Sequence, residues 1–191
     1  MPNIRSENFL VYFSMADGIN IEIGARTDPI IEDLDIKFTQ GRKTLLVDKR
    51  FWGNQGAENF EYTQADSQAL PFADDSADLL VSKNMFCAHG FRTQDANWKI
   101  SVEDVGNFES IATELFRIAK PGSSAIVIET ATPYEGLLEK LDKAFSGSGF
   151  TRKPEDVLQN DQISKLFTNG SSGSKEKYQT PNAFAVIYHK Q

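Results

Sequence analysis

One cysteine, Cys87, and two histidines, His89 and His189, occur in 191 residues. An internal disulfide is excluded, and a multi-cysteine or histidine-rich metal centre is excluded with it. No run of Lys or Arg occurs, and 20 basic against 27 acidic residues give a formal net charge of −7. That balance argues against a nucleic-acid backbone or an anionic membrane as partner. The apolar run FLVYF at 9–13 is too short for a signal-peptide core and far too short to span a bilayer. The first β-branched run lacks G-x-G-x-x-G after it, and no Tyr-x-x-x-Lys occurs, which disfavours a nicotinamide-dependent oxidoreductase. These absences lead to the expectation of a soluble protein of a reducing compartment, the cytoplasm.

What is present is an alternation of strand and helix patterns. Short, nearly continuous apolar runs stand at 19–25 (INIEIGA), 44–50 (TLLVDKR), 77–86 (ADLLVSKNMF) and 123–131 (SSAIVIETA). Such runs suit strands buried on both faces of a parallel sheet. FEYTQAD (60–66), more polar, fits an edge strand, and AFAVIYHK (183–190) a last strand. Asp28-Pro29 reads as a helix start, with Ile30, Leu34 and Phe38 on one face. The clearest helix pattern is 101–122, opened by Ser101 and Asp104 and closed by Pro121-Gly122. A further helix is predicted over 132–145, opened by Thr132, Pro133 and Glu135 and ending near Gly147. The order implies an α/β, doubly wound sheet in one domain over 1–191, with a short N-terminal extension (1–18) and a polar loop at 169–177.

In open α/β sheets ligands bind at the carboxyl ends of the strands, near the point where strand order reverses. Those ends carry Gly24-Ala25-Arg26-Thr27, then Asp48-Lys49, then Ala65-Asp66-Ser67, then Ser82-Lys83-Asn84, with His89 shortly beyond. An acid at the end of the second strand can accept both hydrogens of a ribose diol. Four stretches, IEIGA, LLVDKR, ADSQALPFADDSADLLVSKN and ELFRIAKPGSSAIVI, stand in compatible order. In them the chain resembles the class I S-adenosylmethionine-dependent methyltransferases, in particular the small-molecule type, over roughly residues 19–131.

The resemblance implies a Rossmann-like, mostly parallel seven-stranded sheet ending in an antiparallel strand, which AFAVIYHK would supply. It implies S-adenosylmethionine as cofactor, with Glu22, Gly24, Ala25 and Arg26 near the methionine part and Asp48 and Lys49 at the ribose. Asp66 would accept from the adenine amino group with Ser67 beside it, and Ser82 to Asn84 would floor the sulfonium. Where the common pattern has Gly, this chain has Arg26 and Asp28; Arg26 would either clamp the methionine carboxylate or fill the pocket. His89 reads as a base for the acceptor or as a loop anchor. The loop 91–101, with Arg92, Trp98 and Lys99, is a candidate lid.

The expected function is methyl transfer to a small acceptor, hydroxylated or sugar-like, by a chain that acts alone, as a homodimer or with a partner subunit. The rival reading is a non-catalytic methyltransferase-like module.

Overall fold

The computed structural model describes residues 18–24, 29–49, 60–86, 108–129, 136–167 and 183–191. Seven strands form one sheet: β1 (Ile19–Ile23), β2 (Lys43–Asp48), β3 (Glu61–Gln64), β4 (Ala77–Lys83), β5 (Ala119–Glu129), β6 (Val157–Gln159) and β7 (Phe184–His189). Their order is β3-β2-β1-β4-β5-β7-β6. The pairs from β3 to β5 are parallel, while β7 runs antiparallel to both β5 and β6. Strand order reverses between β1 and β4, so their carboxyl ends open the crevice where ligands of such sheets lie. The α/β doubly wound reading holds, including the polar edge strand at 61–64 and the antiparallel last strand.

Both faces of the sheet are covered, which is why the strands read as unbroken apolar runs. Helices α2 (Phe108–Ile118) and α3 (Leu137–Ser148) pack on one face, where Leu115, Leu141 and Phe145 meet Ile21, Leu45, Leu80, Val127 and Tyr188. On the other, Ile30, Ile31, Leu34, Ile163 and Leu166 cover Leu79, Val81, Ile126 and Ile128.

Several sequence expectations are corrected. No continuous helix follows Pro29. A 3-10 turn (Ile31–Asp33) and a four-residue helix α1 (Ile36–Thr39) replace it, separated by Leu34 in an extended conformation. Leu34 bridges Phe167, and the Asp35 N–H donates to the Leu166 carbonyl at 2.7 Å. Pairing with a distant segment outweighs helix propensity there. Asp35 caps the short helix through the Lys37 N–H at 3.0 Å.

Helix α2 ends at Ile118, and the chain enters β5 at Ala119 with no loop, so Pro121-Gly122 lie inside the strand segment. The register shift against β4 leaves Pro121, which has no N–H to give, out of that ladder. Helix α3 runs through Gly147 to Ser148 and ends at Gly149, whose φ of 106° suits glycine. Strand β6, only three residues long, has no pattern that announces it. The capping residues Ser101, Asp104, Thr132, Pro133 and Glu135, the loops 91–101 and 169–177 and residues 1–17 lie outside the described residues. Among the described residues, no helix is long and apolar enough to cross a membrane.

The C-terminal strand is locked by Tyr188, fully buried and stacked on Phe145 with ring centroids 4.2 Å apart. Its hydroxyl donates to Asp142 Oδ1 at 3.0 Å, and Arg152 grips both oxygens of the same carboxylate. Burial pushes the Asp142 carboxyl up, but the hydrogen bonds from Arg152 and Tyr188 outweigh it and leave the group below its ordinary value. A carboxyl held lower in the folded than in the unfolded chain stabilises fully above about pH 4, and that contribution vanishes as pH falls through the folded value. Arg152→Met should therefore cost about 1–2 kcal/mol at neutral pH and flatten the loss of stability on acidification. Urea unfolding of both proteins between neutral and acid pH checks this; equal pH slopes would contradict it.

Candidate functional site

The site is built from strand ends. The Gly24 N–H donates to the Val47 carbonyl at 2.8 Å, so the chain leaves β1 still paired with β2. Gly24 has φ +73°, and a side chain there would stand 3.8 Å from the Lys83 carbonyl and from Met85 Cβ. Space for a methyl group exists, but the backbone conformation favours glycine. The turn thus sits directly against the chain that leaves β4. That second chain turns at Asn84, itself at φ 52°, whose N–H donates to the Ile128 carbonyl at 2.8 Å. Two left-handed residues face each other across the switch point.

Glu22 is fully buried and explains the shape of this turn. Its Oε2 accepts the N–H groups of both Ile30 and Ile31 at 2.9 Å, and Oε1 lies 3.1 Å from the Ile30 nitrogen. The N–H groups expected to be capped by Asp28 are satisfied by an acid six residues earlier in the chain. Asp28, Ala25 and Arg26 themselves lie outside the described residues.

Asp48 ends β2 beside this turn, half-buried, and its carbonyl accepts the Ala65 N–H at 3.1 Å. Sequence reasoning passed over Tyr62, which stands abreast of Leu46 on the neighbouring strand. By strand alternation Tyr62 shares a sheet face with Asp48 and Glu22. Burial first, then the negative charges of Glu22 and Asp48, push its phenol above the ordinary value, so it stays a neutral donor. An aromatic residue four positions before Asp66, within an otherwise polar edge strand, is the signal that could have found it.

Asp66 lies at the next strand end. Its Oδ1 accepts the Gln68 N–H at 3.0 Å and its Oδ2 accepts from Lys49 Nζ at 3.0 Å. The Gln68 N–H, then Lys49, hold its carboxyl below the ordinary value. The turn 66–69 closes through the Ala69 N–H on the Asp66 carbonyl, with Ser67 at its tip. Leu70-Pro71-Phe72 follows, fastened by a pair that sequence reasoning missed. Glu114 accepts the Leu70 N–H at 2.7 Å, while Arg117 donates to the carbonyls of Leu70 and Phe72 and to Glu114 and Asp74. Glu114 raises the Arg117 value and Arg117 lowers that of Glu114, so the pair is charged throughout the neutral range.

Ser82 is 2% exposed, and its hydroxyl has no hydrogen-bond partner among the described residues. A buried unsatisfied hydroxyl costs about 1–3 kcal/mol unless something else pairs it. Glu129, fully buried at the end of β5, accepts the Phe86 N–H at 3.1 Å; it was also missed, hidden inside the run read as strand five. His89 and Cys87 lie outside the described residues. Among the described residues, no three His, Cys, Asp or Glu side chains come close enough to hold a metal ion.

Asp66, Asp48, Gly24 and Asn84 therefore stand in a row across β3, β2, β1 and β4. Neighbouring strands are about 4.8 Å apart, so the row spans roughly 14 Å. Carboxylates for hydroxyl and amino donors lie at one end, a glycine turn in the middle and an unpaired hydroxyl at the other. This donor set fits an adenosyl group carrying a short polar chain.

The strand order is that of the Rossmann-like methyltransferase fold. Solved structures agree: a SAM-dependent methyltransferase from Aquifex aeolicus superposes with TM-score 0.58 at 12% identity, over 90% of this chain and 81% of that one. Geranyl diphosphate C-methyltransferase from Streptomyces coelicolor, solved with S-adenosyl-L-homocysteine, gives TM-score 0.56 at 10% identity, over 92% and 74% of the two chains. In sequence the chain is similar to a ubiquinone/menaquinone biosynthesis C-methyltransferase of Teredinibacter turnerae, 28% identical over 124 residues, 65% of this chain and 41% of that protein. The chain spans about two fifths of the length of the curated relatives it matches. No protein-family model matches.

Replacing Glu22 tests the shape of the turn. Glu22→Ala should cost about 2–4 kcal/mol by stranding two buried N–H groups, and Glu22→Gln, which keeps one acceptor, clearly less. Equal losses in urea unfolding would show that a single remaining acceptor does not hold the turn.

Proposed function

We propose that the protein is an S-adenosylmethionine-dependent methyltransferase acting on a small-molecule acceptor. The observation that carries the reading is the row Asp66, Asp48, Gly24 and Asn84 along the carboxyl ends of β3, β2, β1 and β4. The names of the sequence relatives and of the solved neighbours support it.

When bound, the cofactor supplies an electrophilic methyl group. This chain supplies the hold on it. Asp48 accepts from the ribose hydroxyls, and Tyr62, kept neutral beside it, limits repulsion at that acidic corner. Asp66, already oriented by Gln68 and Lys49, keeps lone pairs for the adenine amino group, with Ser67 and Leu70 beside the ring. Gly24 lets backbone approach the amino-acid part, with Ala25 and Arg26 next to it. Ser82 and Asn84 form the floor under the reacting end. Proximity and alignment provide most of the acceleration, since the donor is intrinsically reactive. His89, five residues beyond Asn84, takes the proton released by the acceptor. We read the compartment as cytoplasmic from the single cysteine, and the chain's protein partner as a second copy or a partner subunit.

Calorimetric titration of the full chain with S-adenosylmethionine, S-adenosylhomocysteine and NAD tests this. Both adenosyl ligands should bind, and Asp48→Ala should weaken them at least about tenfold through loss of the diol acceptor. Binding of NAD alone, or of none of the three, would refute it.

A further inference from the structure

The segment 66–72 leaves β3 at the ligand rim and is strung between two supports. At its start the Ala65 N–H donates to the Asp48 carbonyl at 3.1 Å, which ties it to β2. At its far end Leu70, buried, is gripped at both of its backbone polar groups. Its N–H donates to Glu114 Oε1 at 2.7 Å, and its carbonyl accepts from Arg117 Nη2 at 3.0 Å. Arg117 Nη1 reaches the Phe72 carbonyl at 2.8 Å, while Nε and Nη2 close a two-pronged pair on Glu114 at 2.9 and 2.7 Å.

Little slack separates the two supports. The Ala69 N–H donates to the Asp66 carbonyl at 2.9 Å, so the residue that carries the carboxylate and the residue gripped by α2 are joined by one closed turn. Each Asp66 oxygen has a partner, the Gln68 N–H or Lys49, and a carboxylate oxygen accepts more than one donor. Apolar side chains on α2 could cover this turn equally well. Only a rigid fork of donors and acceptors fixes the direction of its backbone. The hold is also local: the N–H groups of Asp75 and Ser76 donate to the carbonyls of Arg117 and Ile118 at 3.0 and 2.8 Å, so the approach to β4 is tied to α2 without those side chains.

We propose that Glu114 and Arg117 are positioning residues for base recognition, which set the preference of this site for adenine by fixing the segment 66–72. The inference rests on the methyltransferase reading and adds to it two residues of α2 that act through Asp66 and Leu70. Released from α2, the segment stays attached to β2 and swings about Ala65, which carries Asp66 and Ser67 off the edge of the ring. The adenine amino group then loses its acceptor. The ribose and amino-acid parts, held at the ends of β2, β1 and β4, keep theirs.

The test is the ratio of two affinities, measured by calorimetry on the full chain at neutral pH. S-adenosylhomocysteine offers the amino donor, whereas S-inosylhomocysteine, with the same ribose and amino acid, offers a carbonyl oxygen in its place. The unaltered protein should prefer the adenosyl ligand at least about tenfold, and equal binding overturns the proposal. Arg117→Lys keeps the charge but loses the fork. It should cut that preference at least about fivefold by weakening the adenosyl ligand alone. Equal weakening of both ligands, or no change in either, overturns the proposal, because a merely structural role moves both together. Should that variant not fold, Glu114→Gln, which still offers Leu70 an acceptor, should retain more of the preference than Glu114→Ala; the same preference in both overturns the proposal. Arg152→Met, a destabilising change at the opposite end of the sheet, should leave the preference within about twofold. A drop there as large as in Arg117→Lys also overturns it. Failure of the unaltered chain to bind either ligand would instead bring down the methyltransferase reading itself.

Discussion

The two hydrogen bonds from Ile30 and Ile31 to the buried Glu22 carboxylate are the constraint on which the candidate site depends. They draw the start of the segment after β1 back over the sheet and satisfy two N–H groups that a capping side chain would otherwise have to serve. With that segment tied down, Ile30 and Ile31 fill the apolar layer on one face, and the turn at Gly24 is left pressed against Met85. An uncompensated carboxylate in such a place would be costly. Paired with two backbone donors, it serves as an internal cap that local sequence does not provide.

Around that point the sheet concentrates negative charge at its carboxyl edge. Asp66 is balanced by Lys49 at the surface, whereas Asp48 and Glu22 together raise the Tyr62 phenol, and Glu129 lies one strand beyond the switch point. The other end of the sheet uses its charges differently. There Asp78 accepts the Ile19 N–H and pairs with Arg42 and Lys120, and Lys190 closes over the last carbonyls of α2. Charges at the amino ends hold strands and helices together. Those at the carboxyl ends fasten turns: Glu22 holds Ile30 and Ile31, Asp66 holds Gln68, and Glu129 holds Phe86.

How far the molecule could be read from its sequence follows from where each element gets its stability. Strands β1, β2, β4 and β5 are buried on both faces, and an apolar run announces that directly. Their order places Gly24, Asp48, Asp66, Ser82 and Asn84 along one rim. Long-range pairing was not legible. Leu34 breaks a good helical pattern because Phe167 lies beside it, and β6 exists because β7 offers an edge. Glu114 and Arg117 look like one more exposed i, i+3 pair, yet they hold the Leu70–Phe72 turn from a helix more than forty residues away. Glu129 lies inside an apolar run, where its neighbours announce the strand and nothing announces the acid.

Hydrogen exchange with and without S-adenosylhomocysteine tests most directly whether this rim is a ligand site. The account predicts slowed exchange at the amides of Gly24, Lys49, residues 66–70 and residues 83–86, and no change at 151–156 or 189–191, which lie at the opposite end of the sheet. Protection confined to that opposite end, or no protection anywhere, would contradict it.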